Sequence, residues 1–403
     1  MSKKLLIIGH TFPEPKTTAA GNRMMQLISL FQEANFEITF ASTASKTMYS
    51  EDLKNSGISV TSILLNNSSF DVFVTELQPS VVLFDRFIAE EQFGWRVSEN
   101  CPHALTILDT EDLHFLRKAR EEAFKNKSEV NLFTETAKRE LASILRSDLS
   151  LIISEAEMQL LTESFKIPER LLYYLPFLVE NISKISPAFE DRHHFITIGS
   201  FQHAPNVDAV VFLKKEIWPK IKKELPEAQL HVYGAYLPKH ISEMHNEKEG
   251  FIIKGWAEHV ESVMQCARVC LAPLRFGAGL KGKLLDAALY GTPSITTTIG
   301  AEGMFSIAQK KDAVSDFATE AVHLYTEKEA WLMQQKKAFE VVQKHFLKIH
   351  FSIDFLQTIQ QIQQELSQHR QNHFIGQMLK HQSMQATKFM SKWIEEKQKN
   401  TPK

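Results

Sequence analysis

Short apolar runs separated by amphipathic stretches set the rhythm of the first half of the chain. Residues 5–10 (LLIIGH), 37–42 (EITFAS), 58–65 (ISVTSILL), 81–85 (VVLFD), 104–109 (ALTILD) and 149–154 (LSLIIS) are rich in Leu, Ile and Val. Such runs read as buried strands. Between most of them apolar positions recur at helical spacing. Residues 22–34 (NRMMQLISLFQEA) are the clearest case, with Gly21 expected to open the helix. Alternating strands and helices predict a parallel sheet covered on both faces. The second half repeats the pattern, with strands expected at 195–200, 230–234, 251–256, 269–274 and 293–298 and a helix at 209–221. The expectation is α/β: two doubly wound, Rossmann-like units joined near residues 181–192, where Pro187 stands in a polar run. From about Thr319 onward the pattern is helical throughout.

Composition narrows the class. A chain of 403 residues exceeds one ordinary domain. Hydrophobic content of 43% and charged content of 23% fit a globular protein, and a formal net charge of -2 supplies no basic field for nucleic acid. Cys101, Cys266 and Cys270 have the spacing of neither a disulfide framework nor a zinc site, and Cys266 and Cys270 are expected in the core. No apolar run approaches the roughly 20 residues of a membrane span. Residues 5–8 are too few for a signal-peptide core, so the expected address is the cytoplasm. The tail from His369 mixes cations with Phe374, Met378, Leu379, Phe389, Met390, Trp393 and Ile394. It reads either as a helix packed back on the protein or as a peripheral contact with the inner face of a membrane.

The chemistry concentrates in residues 269–303, VCLAPLRFGAGLKGKLLDAALYGTPSITTTIGAEG. They read as strand, glycine turn, helix, Gly-x-Pro stop and strand. The turn combines Gly277, Gly279 and Gly282 with Arg275, Lys281 and Lys283. Glycines let backbone N–H groups close on an anion, and the helix start behind them adds positive charge, so a diphosphate cradle is expected. Residues 277–282 also match the dinucleotide fingerprint, with Glu302 about 20 residues on. That fingerprint normally opens the first unit of a domain, whereas here at least three strands precede it. A P-loop is excluded because Leu284 stands where Ser or Thr would hold magnesium. Asp286, two turns after Gly279, shares its helical face, and its carboxylate leans toward the phosphate end, where ribose hydroxyls would sit.

These residues resemble the donor site of family-4-like glycosyltransferases of the GT-B fold (glycosyl transferases group 1). The resemblance extends upstream to IGSFQHAPNVDAVVFLKKEIWPKI, with Asn206 after Pro205, and to LHVYG and IIKGW. In the first half it reaches the glycine loop ending Ala20-Gly21-Asn22-Arg23 and the unit DLSLIISEAEMQLL. It implies two Rossmann-like domains facing a cleft: an acceptor-side domain over residues 1–185, a donor domain over 190–345 and a helical segment over 346–403 that packs back on the first domain. It implies retaining, metal-independent transfer from a nucleotide-diphosphate sugar, with no cofactor. The acceptor, whether glycan, lipid-linked or protein, stays open. Lys281, Arg275, Glu111 and Asp112 are the expected catalytic residues. Donor binding falls to Gly21, Ser200, Gly234, Gly255, Trp256, Gly277, Gly279, Leu280 and Asp286.

Departures from the family pattern are specific. Ala278 and Asp286 stand where many members carry two glutamates eight apart. Ser200-Phe201-Gln202-His203 lacks the Arg and Lys found after the first donor-domain strand. Glu111-Asp112 stands where a His-Asp pair is common. Asp85-Arg86 is a weaker acceptor-side candidate at another strand end. The alternatives are a non-catalytic nucleotide-sugar-binding scaffold of the same fold, a nucleotide-sugar epimerase or hydrolase, and a dehydrogenase built on the glycine fingerprint.

Overall fold

A computed structural model describes residues 3–182 and 186–400. Two all-parallel sheets dominate it. The first contains β1 (Lys4–Gly9), β2 (Glu37–Ser42), β3 (Ser59–Ser62), β4 (Val81–Asp85), β5 (Leu105–Asp109), β6 (Leu149–Ile152) and β7 (Leu172–Tyr174), in the order β3-β2-β1-β4-β5-β6-β7. The second contains β8 (His193–Ile198), β9 (Leu230–Tyr233), β10 (Phe251–Gly255), β11 (Ala267–Ala272), β12 (Ser294–Thr296) and β13 (Gln309–Lys310), in the order β10-β9-β8-β11-β12-β13. Both orders reverse direction once, between β1 and β4 and between β8 and β11. Such a switch opens a crevice at the carboxyl ends of the strands.

The central strands are apolar on both faces because helices cover both. Leu6, Ile8, Val82, Phe84 and Leu108 pack into one core layer of the first unit, and Leu5, Ile7, Val81, Leu83 and Ile107 pack into the other. The helix Ser352–Gln364 completes the second layer with Phe355, Ile359 and Ile362. A third cluster centred on Phe195, Trp218, Val269 and Trp331 holds the second unit together. A fourth joins the units, with Ile153, Phe177 and Val179 packed against Leu280, Leu284, Leu285 and Met304. Inside the first unit the buried Arg23 donates to Asp109 at 2.9 Å and to the Leu175 carbonyl at 2.7 Å. That fixes the helix Ala19–Glu33 on the end of β5.

Several expectations need correction. The first helix begins at Ala19, not Gly21, because the Thr18 hydroxyl accepts the Gly21 N–H and caps it. β3 covers only part of residues 58–65. The helix expected at 209–221 begins at Ala204 and passes through a π turn, Leu213–Ile217, just before Pro219. Proline lacks an N–H and interrupts the regular ladder there. The C-terminal helical region begins at Val314 rather than Thr319. Cys270 is buried as expected, but Cys266 is exposed at the end of its helix. Of the expected joint, residues 183–185 lie outside the described residues. Arg192 already fastens Ser186 and Pro187 to the second unit, donating to Ser186 Oγ at 2.8 Å and to the Pro187 carbonyl at 3.1 Å.

Candidate active site

The switch points of the two sheets open onto one cleft of about 1240 Å³. Its second-unit wall is the glycine turn. After β11 the chain runs through Gly277, at φ 147°, and Gly279, at φ 62°, into the helix Gly282–Leu289. Gly279 is required twice over. Its backbone is left-handed, and a Cβ there would stand 2.7 Å from Asp112 Cβ on the opposite wall. Lys283, at the start of the helix, lines the cleft and donates to Asn206 Oδ1 at 2.8 Å. Asn206 in turn donates to the Ser200 carbonyl at 2.8 Å, so the loop after β8 holds the Lys283 amine in place. Burial pulls that amine down to about 8. The helix starts at Gly282, so Gly279, in left-handed backbone, does not share a helical face with Asp286 as expected. About one turn into the helix, burial pushes the Asp286 carboxyl up to about 7.

The first-unit wall is built where β4 and β5 end. Arg86 at φ 70° and Glu111 at φ 64° both occupy left-handed backbone that a side chain rarely adopts. Such strain collects at functional positions. Glu111 Oε1 is buried and without a hydrogen-bond partner among the described residues, and the residue lines the cleft. Burial, reinforced by the charge of Asp109, raises its carboxyl to about 8, with Arg86 opposing. Asp112 behaves differently. Burial pushes it up, but Arg117, 3.2 Å away, and His114, 3.6 Å away, together with His203 and Arg86 draw it below its ordinary value. Two adjacent carboxyls therefore hold different protonation states at neutral pH, one able to donate a hydrogen bond and one ionised.

These residues sit at the start of the helix His114–Asn126, whose N-cap, Leu113, carries no capping side chain. Carboxylates from other helices fill the role. Glu157 accepts the Leu113 N–H at 3.1 Å, and Glu140 accepts those of His114 at 3.1 Å and Phe115 at 2.8 Å. The same Glu157 oxygen accepts the Gly279 N–H at 2.8 Å. Nearly two turns into the same helix, Arg120 crosses to the second unit. It donates to the Gly277 carbonyl at 2.9 Å and to both Glu302 oxygens at 2.7 and 2.8 Å. The mouth of the cleft carries another crossing. Tyr236 donates to the Glu14 carboxylate, 2.8 and 2.9 Å from its oxygens, Thr17 and Thr47 donate to the same carboxylate, and Trp256 donates to the Lys16 carbonyl at 3.2 Å. Tyr49 packs edge-on against Tyr236 and tilted against Trp256.

Of the expected residues, Gly21, Glu111, Asp112, Ser200, Gly234, Trp256, Gly277, Gly279, Leu280, Lys281 and Asp286 line this one cleft. Arg275 does not. It pairs with Asp208 through two hydrogen bonds and lies between the Phe124 and Phe212 rings, 4.5 and 4.3 Å from their centroids. Gly255 is also outside the lining and accepts the Gly234 N–H. The roles of three others change. The Lys281 amine turns inward to the Ala278 and Gly279 carbonyls, so it braces the turn. The Gly279 amide is engaged by Glu157, and the Leu280 side chain is buried between the units. Glu302, the acidic residue of the dinucleotide fingerprint, is held by Arg120 rather than exposed to a ribose. Lys283, expected among the cations of the turn, and Arg86, expected as a weaker acceptor-side candidate, both line the cleft. Residues missed as site members are Arg117, Glu157 and Arg120, which nothing local marks.

Residues 192–327 match the family model described as glycosyl transferases group 1. No curated protein matches the chain. Solved structures do. A mutant of S. aureus TarM, in complex with Fondaparinux, alpha-GlcNAc-glycerol and UDP, matches with a TM-score of 0.57 and 12% identity over 72% of this chain; the match spans 58% of that protein's length. A sucrose-phosphate synthase from Thermosynechococcus elongatus matches with a TM-score of 0.67 and 12% identity, over 89% of this chain and 99% of the other. Anabaena Alr3699/HepE, in complex with UDP-glucose, matches with a TM-score of 0.65 and 11% identity, over 91% and 99%. At such identities the likeness establishes a shared GT-B fold.

Proposed function

From a chain with the GT-B fold, whose second unit is a glycosyl transferases group 1 domain, we propose that this protein moves a sugar from a nucleotide-diphosphate sugar to an acceptor. The observation that carries the reading is the opposition of two walls across one cleft. A glycine turn and a lysine-bearing helix start face a pair of carboxyls in different protonation states. In the reaction the bond between the anomeric carbon and the diphosphate oxygen breaks. The acceptor oxygen bonds the anomeric carbon and passes its proton to the departing diphosphate oxygen. Negative charge grows on the diphosphate, and groups already aimed at developing charge give the largest catalytic benefit. Lys283 and the start of the helix Gly282–Leu289 would fill that role, while Lys281 keeps the turn in shape. Protonated Glu111 would donate to a sugar or acceptor oxygen, and ionised Asp112 would accept from one.

For the diphosphate to reach the Gly279 amide, the Glu157 carboxylate must yield it. Burial and the nearby Asp112 raise Glu157 to about 7, so protonation near neutral pH eases that exchange. Asp286 supplies an acceptor for ribose hydroxyls. Retention of configuration and independence of metal belong to this proposal through the family resemblance, with Lys283 as the balancing cation. UDP is the first nucleotide to test, followed by GDP and ADP. A thermal-shift panel should single out one of them, because binding to the native state raises the melting point by mass action, about 2.7 kcal/mol at a hundred times Kd. With that nucleotide's sugars, Lys283→Ala should lower kcat/KM by about 100- to 1000-fold. A selective shift without turnover in any acceptor mixture would favour a binding scaffold; no shift with any nucleotide would sink both readings.

A further inference from the structure

The last helix, Phe374–Lys399, lies on the first unit against the helices Arg86–Asn100 and Glu135–Arg146. It is tied there by polar contacts. Arg146 donates to Ser383 Oγ at 3.1 Å, Arg96 to Ser391 Oγ at 3.3 Å, Ser68 Oγ to Glu395 at 2.6 Å, and His373 to the Leu145 carbonyl at 2.8 Å. The orientation of the helix about its own axis is therefore fixed. Its docking face is Gly376, Met384 and Ser391, the buried residues of the helix.

An amphipathic helix docked by one face should be polar on the other. This one is not. Phe374, Ile375, Met378, Phe389, Met390 and Trp393 are between 48% and 69% exposed. At 3.6 residues per turn they fall within about 160° of arc, centred opposite the docking face. They form two apolar patches along this stripe, residues 374–378 and 389–393, with the exposed Gln382 and Gln385 between them; exposed apolar groups gathered on one face mark a contact rather than a chance exposure. Beside the stripe, His381, Lys388, Lys392 and Lys399 fall within about 40° of one another along one flank. Lys388 reaches back to Glu99 and Lys399 to Glu396, and the exposed Lys392 stands between them. Of the helix's five lysines Lys380 turns inward toward Asp148 and Lys397 lies over the Trp393 ring, so Lys388, Lys392 and Lys399 make up the flank, against two glutamates in the helix and a net charge of -2 for the chain.

We propose that this face lies flat on a lipid bilayer that carries anionic headgroups. Aromatic and aliphatic side chains would enter the boundary between headgroups and acyl chains. The lysine flank would stay at headgroup level, its stems along the apolar surface and its charges in water. The charge asymmetry of the helix against the rest of the chain selects anionic over zwitterionic lipid. The contact is peripheral, since among the described residues no helix is long and apolar enough to cross a membrane. The proposal stands on the tail alone and does not depend on the chemistry of the cleft.

Flotation of the full chain with vesicles tests it. The chain should float with vesicles of equal parts phosphatidylglycerol and phosphatidylcholine, and far less with phosphatidylcholine alone. Added salt and Lys392→Glu should each weaken binding. The double variant Phe389→Ser, Trp393→Ser should bind at least about tenfold more weakly while melting like the parent, because both side chains are exposed and support no core. Trp393 emission, taken as the difference between the parent and Trp393→Phe, should shift to the blue on binding. Failure of the parent to float with anionic vesicles overturns the proposal, as does undiminished binding by the double variant. So does a dimer in ultracentrifugation that the double variant dissolves, since the stripe would then be covered by a second copy.

Discussion

Asp286 shows how one side chain at the donor wall ties stability to pH. Its carboxyl goes from an ordinary 3.8 to about 7 because it is buried, with no opposing charge to compensate. The folded state thus binds its proton more tightly than the unfolded state. Between pH 4 and 7 that preference is lost progressively, so this residue's contribution to stability falls as pH rises. Asp286→Asn removes the ionisation. Its melting temperature relative to the parent should therefore rise between pH 5 and pH 8; a constant difference across that range would mean that Asp286 titrates normally. At this scale the sequence was informative where a residue acts beside its neighbours in the chain. The glycines, Lys283 and Asp286 lie within one turn and one helix. Glu157 lies 122 positions from the Gly279 amide it engages, and Arg120 lies 182 positions from Glu302. No local pattern carries such pairings.

Among elements, the glycine turn and the helix start it faces form the most demanding contact. A methyl group at position 279 would strain left-handed backbone, at about 1–2 kcal/mol, and would strike Asp112 from across the cleft. Gly279→Ala should therefore lower nucleotide affinity and kcat/KM by at least about tenfold, with a modest drop in melting temperature. Calorimetric titration with the nucleotide would read the first, and affinity equal to the parent's would refute the close approach. The long central strands were legible because burial on both faces leaves unbroken apolar runs. β7 and β13, three and two residues long, are too short to show any period. The early start of the first helix depends on the Thr18 cap, which lies outside the apolar pattern used to place it.

Across the whole molecule, several contacts join the units, among them an outer and an inner polar bridge. The outer one, from Tyr236 to Glu14, spans the mouth and is partly exposed. A hydrogen bond to a charged group contributes about 1.5–3 kcal/mol, and exposure places this one near the lower end. Tyr236→Phe should therefore raise KM for the nucleotide sugar by about tenfold and leave kcat nearly unchanged. Equal KM values would show that closing the mouth adds nothing to binding.

The inner bridge has a different implication. The helix His114–Asn126 begins beside Asp112 and, two turns later, grips the Gly277 carbonyl and Glu302 through Arg120. A single rigid rod thereby sets the gap between the Glu111–Asp112 pair and the glycine turn, like a spacer cut to one length. A protein built this way cannot admit a bulkier donor by altering the turn alone. Homologues that change Glu302 should change Arg120 as well, and grafting a foreign loop into this scaffold should fail unless the rod is exchanged with it.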